Sequence, residues 1–265
     1  MFYIFGLFSL PLLLILLTIT GVLGSLLTYL APSVLLNTLL MEETRFALQL
    51  TLETSLISLL ISLILGVPTA YLLARHNFPG KLLIETLLDV PLVTPPLVAG
   101  VGLLFLVGHN GVLGEPLNSI GIDILFSPIG IIVAQSYVAT SIIVRTSKAA
   151  FVDIAIDYSH MAWTLGLAPV WSFLLVELPM AVRGIAVAAV LGWARAIGEF
   201  GATLMVAGAT RLHTETLPMA IYLNIASGNS DLAVACAVIL LGLAFVLLFS
   251  TRIIGKLCIK EMGYV

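Results

Sequence analysis

Six apolar runs, each about the length that crosses a bilayer, constrain this chain more than any other feature. They extend from Phe5 to Tyr29, Phe46 to Ala74, Leu87 to Val107, Pro128 to Ser147, Leu178 to Ala207 and Leu232 to Ile254. About 20 apolar residues in a helix span the ~30 Å hydrocarbon core, so each run is a candidate membrane helix. The gaps are too short for a water-soluble domain, which predicts one membrane domain over residues 1–265. The fold class expected is all-α, a polytopic bundle of about six transmembrane helices.

Composition excludes the alternative of a soluble core. The 265 residues are 60% hydrophobic and 9% charged, and so few polar groups would not cover a globule's exterior. A formal net charge of -3 carries no basic footprint for nucleic acid. Cys236 and Cys258 are 22 positions apart. On one helix that is roughly 33 Å, beyond disulfide reach, and both read as apolar filler. The first run has no lysine or arginine before it and no evident small-x-small cleavage site, which favours a retained helix over a signal peptide.

Basic residues set an expected orientation. Arg75, Lys81, Arg145, Lys148, Arg183, Arg252, Lys256 and Lys260 fall on one side of the six-span plan; Arg45 and Arg211 fall on the other. The richer side is expected to be cytoplasmic, with both termini there. The outer links carry turn signals, Gly108-His109-Asn110-Gly111 and Ser227-Gly228-Asn229-Ser230. The longest inner link, Ala149 to Glu177, sets Asp153, Asp157 and His160 against Ile154, Ile156, Met161 and Trp163. That pattern predicts a short helix lying along the membrane face.

Within the spans, Ser55, Ser58, Ser62 and Gly66 recur at helical spacing and predict close helix packing. Pro91, Pro95 and Pro96 should break the third helix, either as a packing kink or against a watery cavity. Arg195 and Glu199, four apart, should share one helical face. Ionised groups at that depth cost roughly 2.5–3.5 kcal/mol each, so they should face protein and pair. Two readings stand together: a buried tie, and a pathway lining in which Arg195 meets a passing anion. Gly198, Gly201 and Thr203 belong to the same candidate stretch.

There is no nucleotide-binding loop: Gly255-Lys256 is followed by Leu257, and Ser250 stands where the opening glycine belongs. The four histidines, His76, His109, His160 and His213, have no ligand partner at helical spacing, and no serine or cysteine nucleophile is matched to a base. An enzyme buried in the membrane would need such clusters. An ion-coupled secondary transporter would show inverted repeats, and none is evident.

Gly166, a nine-residue gap, then Val176-Glu177-Leu178-Pro179 resemble the cytoplasmic signature of the membrane subunits of ATP-binding-cassette importers. In that signature Glu-Ala-Ala precedes the glycine; here the positions read His160-Met161-Ala162, so the ionic contact of the missing glutamate is in question. The run Ala194 to Thr203, then Thr216-Leu217-Pro218-Met219-Ala220-Ile221-Tyr222, is similar to molybdate permeases, as are Pro91 to Gly100, Ala134 to Tyr137 and Val144-Arg145. The resemblance runs from about Leu50 to the C-terminus. It implies a type I importer permease with a coupling segment over about 153–170. It further implies a homodimer, two cytoplasmic ATPase subunits holding ATP and Mg, and an external binding protein that delivers an oxyanion. Molybdate is the expected cargo, with tungstate and sulfate as alternatives. ATPase coupling would fall to His160, Met161, Ala162, Trp163, Gly166, Leu178 and Pro179, with Gly166 closing the docking helix and Pro179 starting the fifth span. Trp163 would contact the ATPase or anchor at the lipid interface. The chain itself would bind no cofactor.

Overall fold

The computed structural model describes the backbone of residues 2–29 and 31–261, and the side chains of residues 9–29 and 31–249. Among these residues every regular element is helical. In chain order they are α1 Phe2–Tyr29, α2 Pro32–Leu40, α3 Glu42–Arg75, α4 Lys81–Val93, α5 Pro96–Val107, α6 Gly114–Ser119 and α7 Pro128–Val152. There follow α8 Asp157–Thr164, α9 Pro169–Ser172, a π turn at Phe173–Glu177, α10 Leu178–Ile197, α11 Gly201–Ala207, α12 Leu217–Ala226 and α13 Ser230–Glu261.

Five helical stretches are long and apolar enough to cross a membrane: Ser9–Tyr29, Glu42–Arg75, Pro128–Val152, Pro169–Ile197 and Ser230–Phe249. The pair α4 and α5 passes the same test only when taken together, and is bent by 115° at the break between them, so it is the candidate for the sixth crossing. The third expected run is therefore two helices. The break falls at Thr94-Pro95, whereas Pro91 sits inside α4. Its position is explained by Pro95 and Pro96 in sequence: two missing donors at consecutive positions and a restricted residue before them end the helix.

The fifth span also differs from expectation. It starts at Pro169, not Leu178, and stops at Ile197, so Ala207 belongs to the separate helix α11. Pro179 consequently lies within a continuous crossing. Proline offers no amide to the carbonyl four residues back, and its ring crowds that carbonyl. The chain widens just before it, where Leu178 N–H donates to Phe173 O, five residues back. A π turn is a known way for a helix to absorb such a conflict.

The centre of the bundle is α3 against α7, joined by α10. Leu59, Val67, Ala70 and Leu73 pack on Ile143, Val144 and Phe151, with Ala181 beside them. The small-residue stripe packs as its spacing predicts. A Cβ on Gly66 would come within 2.8 Å of Ile143 Cγ2. The Ser58 hydroxyl lies 3.1 Å from Gln135 Oε1, and the Thr140 hydroxyl donates to Ser62 Oγ at 3.0 Å. Trp193 Nε1 donates to Ser55 Oγ at 2.9 Å, tying α10 to α3. By contrast, the apolar window of α1 is 0% buried.

Charge separates the two ends. Lys148 Nζ meets Glu85 Oε1 at 2.7 Å, and Arg75 lies at the same end. Arg211 meets Glu43 at 3.2 Å at the opposite end, near Arg45. The side chains of Arg252, Lys256, Lys260 and Cys258, and the two chain termini, lie outside the described residues. Cys236 is buried and free.

Candidate transport pathway and coupling segment

Two helix breaks face each other. α10 ends at Ile197, and α11 restarts at Gly201 after Gly198, Glu199 and Phe200. Opposite them lies the α4–α5 break. Gly201 is packed so tightly that a Cβ would come within 2.8 Å of Pro96 Cβ and 2.9 Å of Leu97 N. One turn along, a Cβ on Gly100 would approach Ala202 Cα and Met205 Cβ to 2.8 Å. Glycine at both positions lets two backbones approach where any side chain would hold them apart.

Glu199 organises the second break. Its side chain is 0% exposed; Oε1 accepts from Ala202 N–H at 3.0 Å, satisfying one of the open donors of α11, and Oε2 lies 2.5 Å from Arg195 Nη1. The pairing expected from four-residue spacing is thus present, and the carboxylate also caps the following helix. The Arg195 side chain remains 33% exposed on the surface of this chain. Gly198 is exposed. Gly201 and Thr203 are buried, so they pack this break rather than face an open surface. Pro95 and Pro96 are exposed, and Pro91 is partly buried.

The segment from 153 to 170 forms the expected short helix, α8, with Asp153, Asp157 and His160 exposed. The side buried against the body carries Ser159 and Ala162, whereas Ile156, Met161 and Trp163 are 46%, 62% and 44% exposed, with Leu165 beyond the helix. Small side chains allow α8 to lie close; the large apolar ones project outward. His160 is exposed, its ring 5.3 Å from that of Trp163. Trp163 also lines a cleft of about 310 Å³ with Pro68, Tyr71, Arg75 and Phe173.

Gly166 ends α8 as the sequence predicts. Its φ is +88°, its N–H donates to Trp163 O at 3.0 Å, and Leu167 N–H donates to Ala162 O at 3.1 Å. This is the paired bonding of a left-handed helix C-terminus, which favours glycine. Leu178 and Pro179 lie after the π turn that returns the chain to the bundle.

One group escaped the sequence reading. Arg75 Nε donates to Glu177 Oε2 at 2.6 Å, Tyr71 Oη donates to Glu177 Oε1 at 2.8 Å, and Arg75 Nη1 donates to Ile154 O at 3.0 Å. Arg75 entered the sequence argument only as a topology marker. The signal available was Glu177, an acidic residue immediately before Leu178-Pro179 with no cation near it in sequence.

The model of the family "Binding-protein-dependent transport system inner membrane component" matches residues 62–258. The chain belongs to that family. This permease is 33% identical to the probable transport system permease protein NifC of Clostridium pasteurianum, over 86% of this chain and 80% of that one. It is 37% identical to the molybdenum transport system permease protein ModB of Mycobacterium tuberculosis, over 76% of each. A probable sulfate transport system permease protein, cysT, of Chlorokybus atmophyticus is 32% identical over 78% of this chain and 72% of its own. The permease fold matches a subunit in the crystal structure of a bacterial alginate transporter of the ATP-binding-cassette type, solved with its pentasaccharide-bound periplasmic protein. There the TM-score is 0.74 at 18% identity, covering 94% of this chain and 92% of that one. Type I importer architecture and an importer permease's role follow, and an ion-coupled secondary transporter is set aside.

Proposed function

We propose that this permease is the membrane subunit of an ATP-driven importer for a tetrahedral oxyanion, molybdate first. It works as a homodimer with two cytoplasmic ATPase subunits, which hold ATP and Mg, and an external binding protein that delivers the ion. The chain, one permease domain over residues 1–265, performs no bond chemistry and holds no cofactor. It lies in the cell membrane with α8 and both termini on the cytoplasmic side.

The observation that carries this reading is α8. A short helix closed by Gly166 presents Ile156, Met161, Trp163 and Leu165 away from the body, where an apolar groove on another subunit would cover them. His160, Met161, Ala162, Trp163 and Gly166 supply this contact segment, and Leu178-Pro179 return its motion to the fifth span. ATP closes the ATPase pair, draws the two copies of α8 together and tips the spans; hydrolysis resets them. Moving such a balance from 1:99 to 99:1 takes roughly 5.5 kcal/mol of differential binding. On the pathway, Arg195 is the group that meets the anion. Glu199 holds the arginine and caps α11.

Sulfate transport is the second reading, favoured by the sulfate-permease relative. Reconstituted vesicles containing permease, ATPase and binding protein decide between them when molybdate, tungstate and sulfate compete. Molybdate uptake that requires ATP and resists excess sulfate is the expected result. Uptake without ATP would sink the importer reading, and a preference for sulfate would replace the cargo alone.

A further inference from the structure

Three segments of chain meet at Arg75. The first is the end of α3 itself. The second is the stretch leading out to α8, represented by the carbonyl of Ile154. The third is the stretch returning from α8, represented by Glu177. The coupling segment thus leaves the bundle beside Ile154 and re-enters it beside Glu177, and one guanidinium holds both roots.

Each segment also supplies an aromatic ring. Tyr71 lies one turn before Arg75, Phe151 precedes Ile154, and Phe173 opens the π turn that ends in Glu177. Tyr71 and Phe151 have ring centroids 5.4 Å apart, Tyr71 and Phe173 4.5 Å, and Phe151 and Phe173 6.1 Å. These rings pack around the pair. The Glu177 side chain is 0% exposed and that of Arg75 is 9% exposed. Both carboxylate oxygens of Glu177 have donors. In such surroundings hydrogen bonds are stronger and a broken one is costlier, so the pair resists stretching.

We infer that Arg75, Glu177 and Tyr71 are positioning residues that form the joint through which displacement of α8 reaches the spans. A lever rooted by loops alone would dissipate motion in its linkers. Here both roots are fixed to the end of α3, and one of them continues into α10. The π turn immediately before Leu178 supplies compliance beside the rigid contact, since its five-residue bonding is looser than that of an α-helix. The inference rests on the importer reading, because a lever needs a motor.

The test separates transmission from stability. Replacing a whole buried ion pair by apolar groups of similar volume often preserves stability, whereas removing one partner leaves a buried charge. The double variant Arg75→Met with Glu177→Leu is therefore compared with wild type and with Glu177→Gln in vesicles holding ATPase and binding protein. The double variant is expected to keep the wild-type melting temperature and to copurify with the ATPase. Molybdate imported per ATP should fall by about five- to hundredfold, the span of ordinary coupling energies. A wild-type transport ratio in that variant would overturn the joint and leave the importer reading intact. If wild type itself shows no ATP-dependent uptake, the importer reading falls and the joint with it. Should the double variant not assemble, Tyr71→Phe decides, because it deletes a single donor: a lowered ratio at unchanged melting temperature supports the joint, and an unchanged ratio overturns it.

Discussion

The permease contains two arginine–glutamate pairs whose carboxylates are both fully buried, yet their construction differs. Arg195 lies in the last turn of α10 and Glu199 four positions on, in the break that follows it, and the arginine is 33% exposed. Arg75 and Glu177 are 102 positions apart, on different elements, with the arginine only 9% exposed. The first pair leaves its cation partly exposed. The second leaves nothing available and instead ties chain segments together.

Substitution of each glutamate should expose that difference. Glu177→Ala strands a buried guanidinium and should cost about 3–5 kcal/mol, seen as a large fall in melting temperature in detergent. Glu199→Ala should cost less, about 1–2 kcal/mol, because Arg195 is not enclosed by the chain and the main loss is the α11 cap. Equal losses would break the comparison. Gly201→Ala tests the packing beside the first pair. Its new methyl must displace Pro96, and overpacking of this kind costs about 1–3 kcal/mol, with oxyanion uptake reduced accordingly.

A third buried carboxylate serves as the control. Glu215, in the loop between α11 and α12, makes no ion pair within 4 Å among the described residues, and its Oε2 lacks a hydrogen-bond partner. Burial raises its pKa above the usual glutamate range; a backbone hydrogen bond from Leu212 and the nearby Arg211 oppose the shift, and Glu43 adds to it. The folded protein then holds this proton more tightly than the unfolded chain does. Stability should be greatest at or below the ordinary glutamate pKa and decline as pH rises through the folded value. Glu215→Gln should flatten that decline; an unchanged pH profile would show that the carboxyl is already ionised. The smallest effect belongs to Arg211→Ala at the exposed Glu43 pair, whose side chains are 42% and 44% exposed. It should change stability by at most about 1 kcal/mol.

What the sequence revealed follows the same division. Apolar runs locate the crossings because lipid imposes a length, and the glycine before Leu167 is legible because a left-handed turn has a narrow choice of residues. The Arg195–Glu199 contact depends on helical spacing alone. The Arg75–Glu177 contact depends on where two distant segments fold, and neither residue signals its partner. For α8, periodicity indicates two sides but not which one another subunit will cover. The bounds of the fifth span shifted because a proline usually placed at a helix start can be accommodated inside one by a wider turn.

The close approach of Gly100 and Ala202, and of Gly201 and Pro96, also limits how this permease can open. Sliding one helix past another requires room for side chains to change places, and here each glycine already lies against its neighbour, Gly100 on Ala202 and Met205 and Gly201 on Pro96 and Leu97. α5 and α11 pack as one block, and the helix breaks at Thr94-Pro95 and at Gly198 to Phe200 flank it, so bending is expected at those breaks rather than within the block.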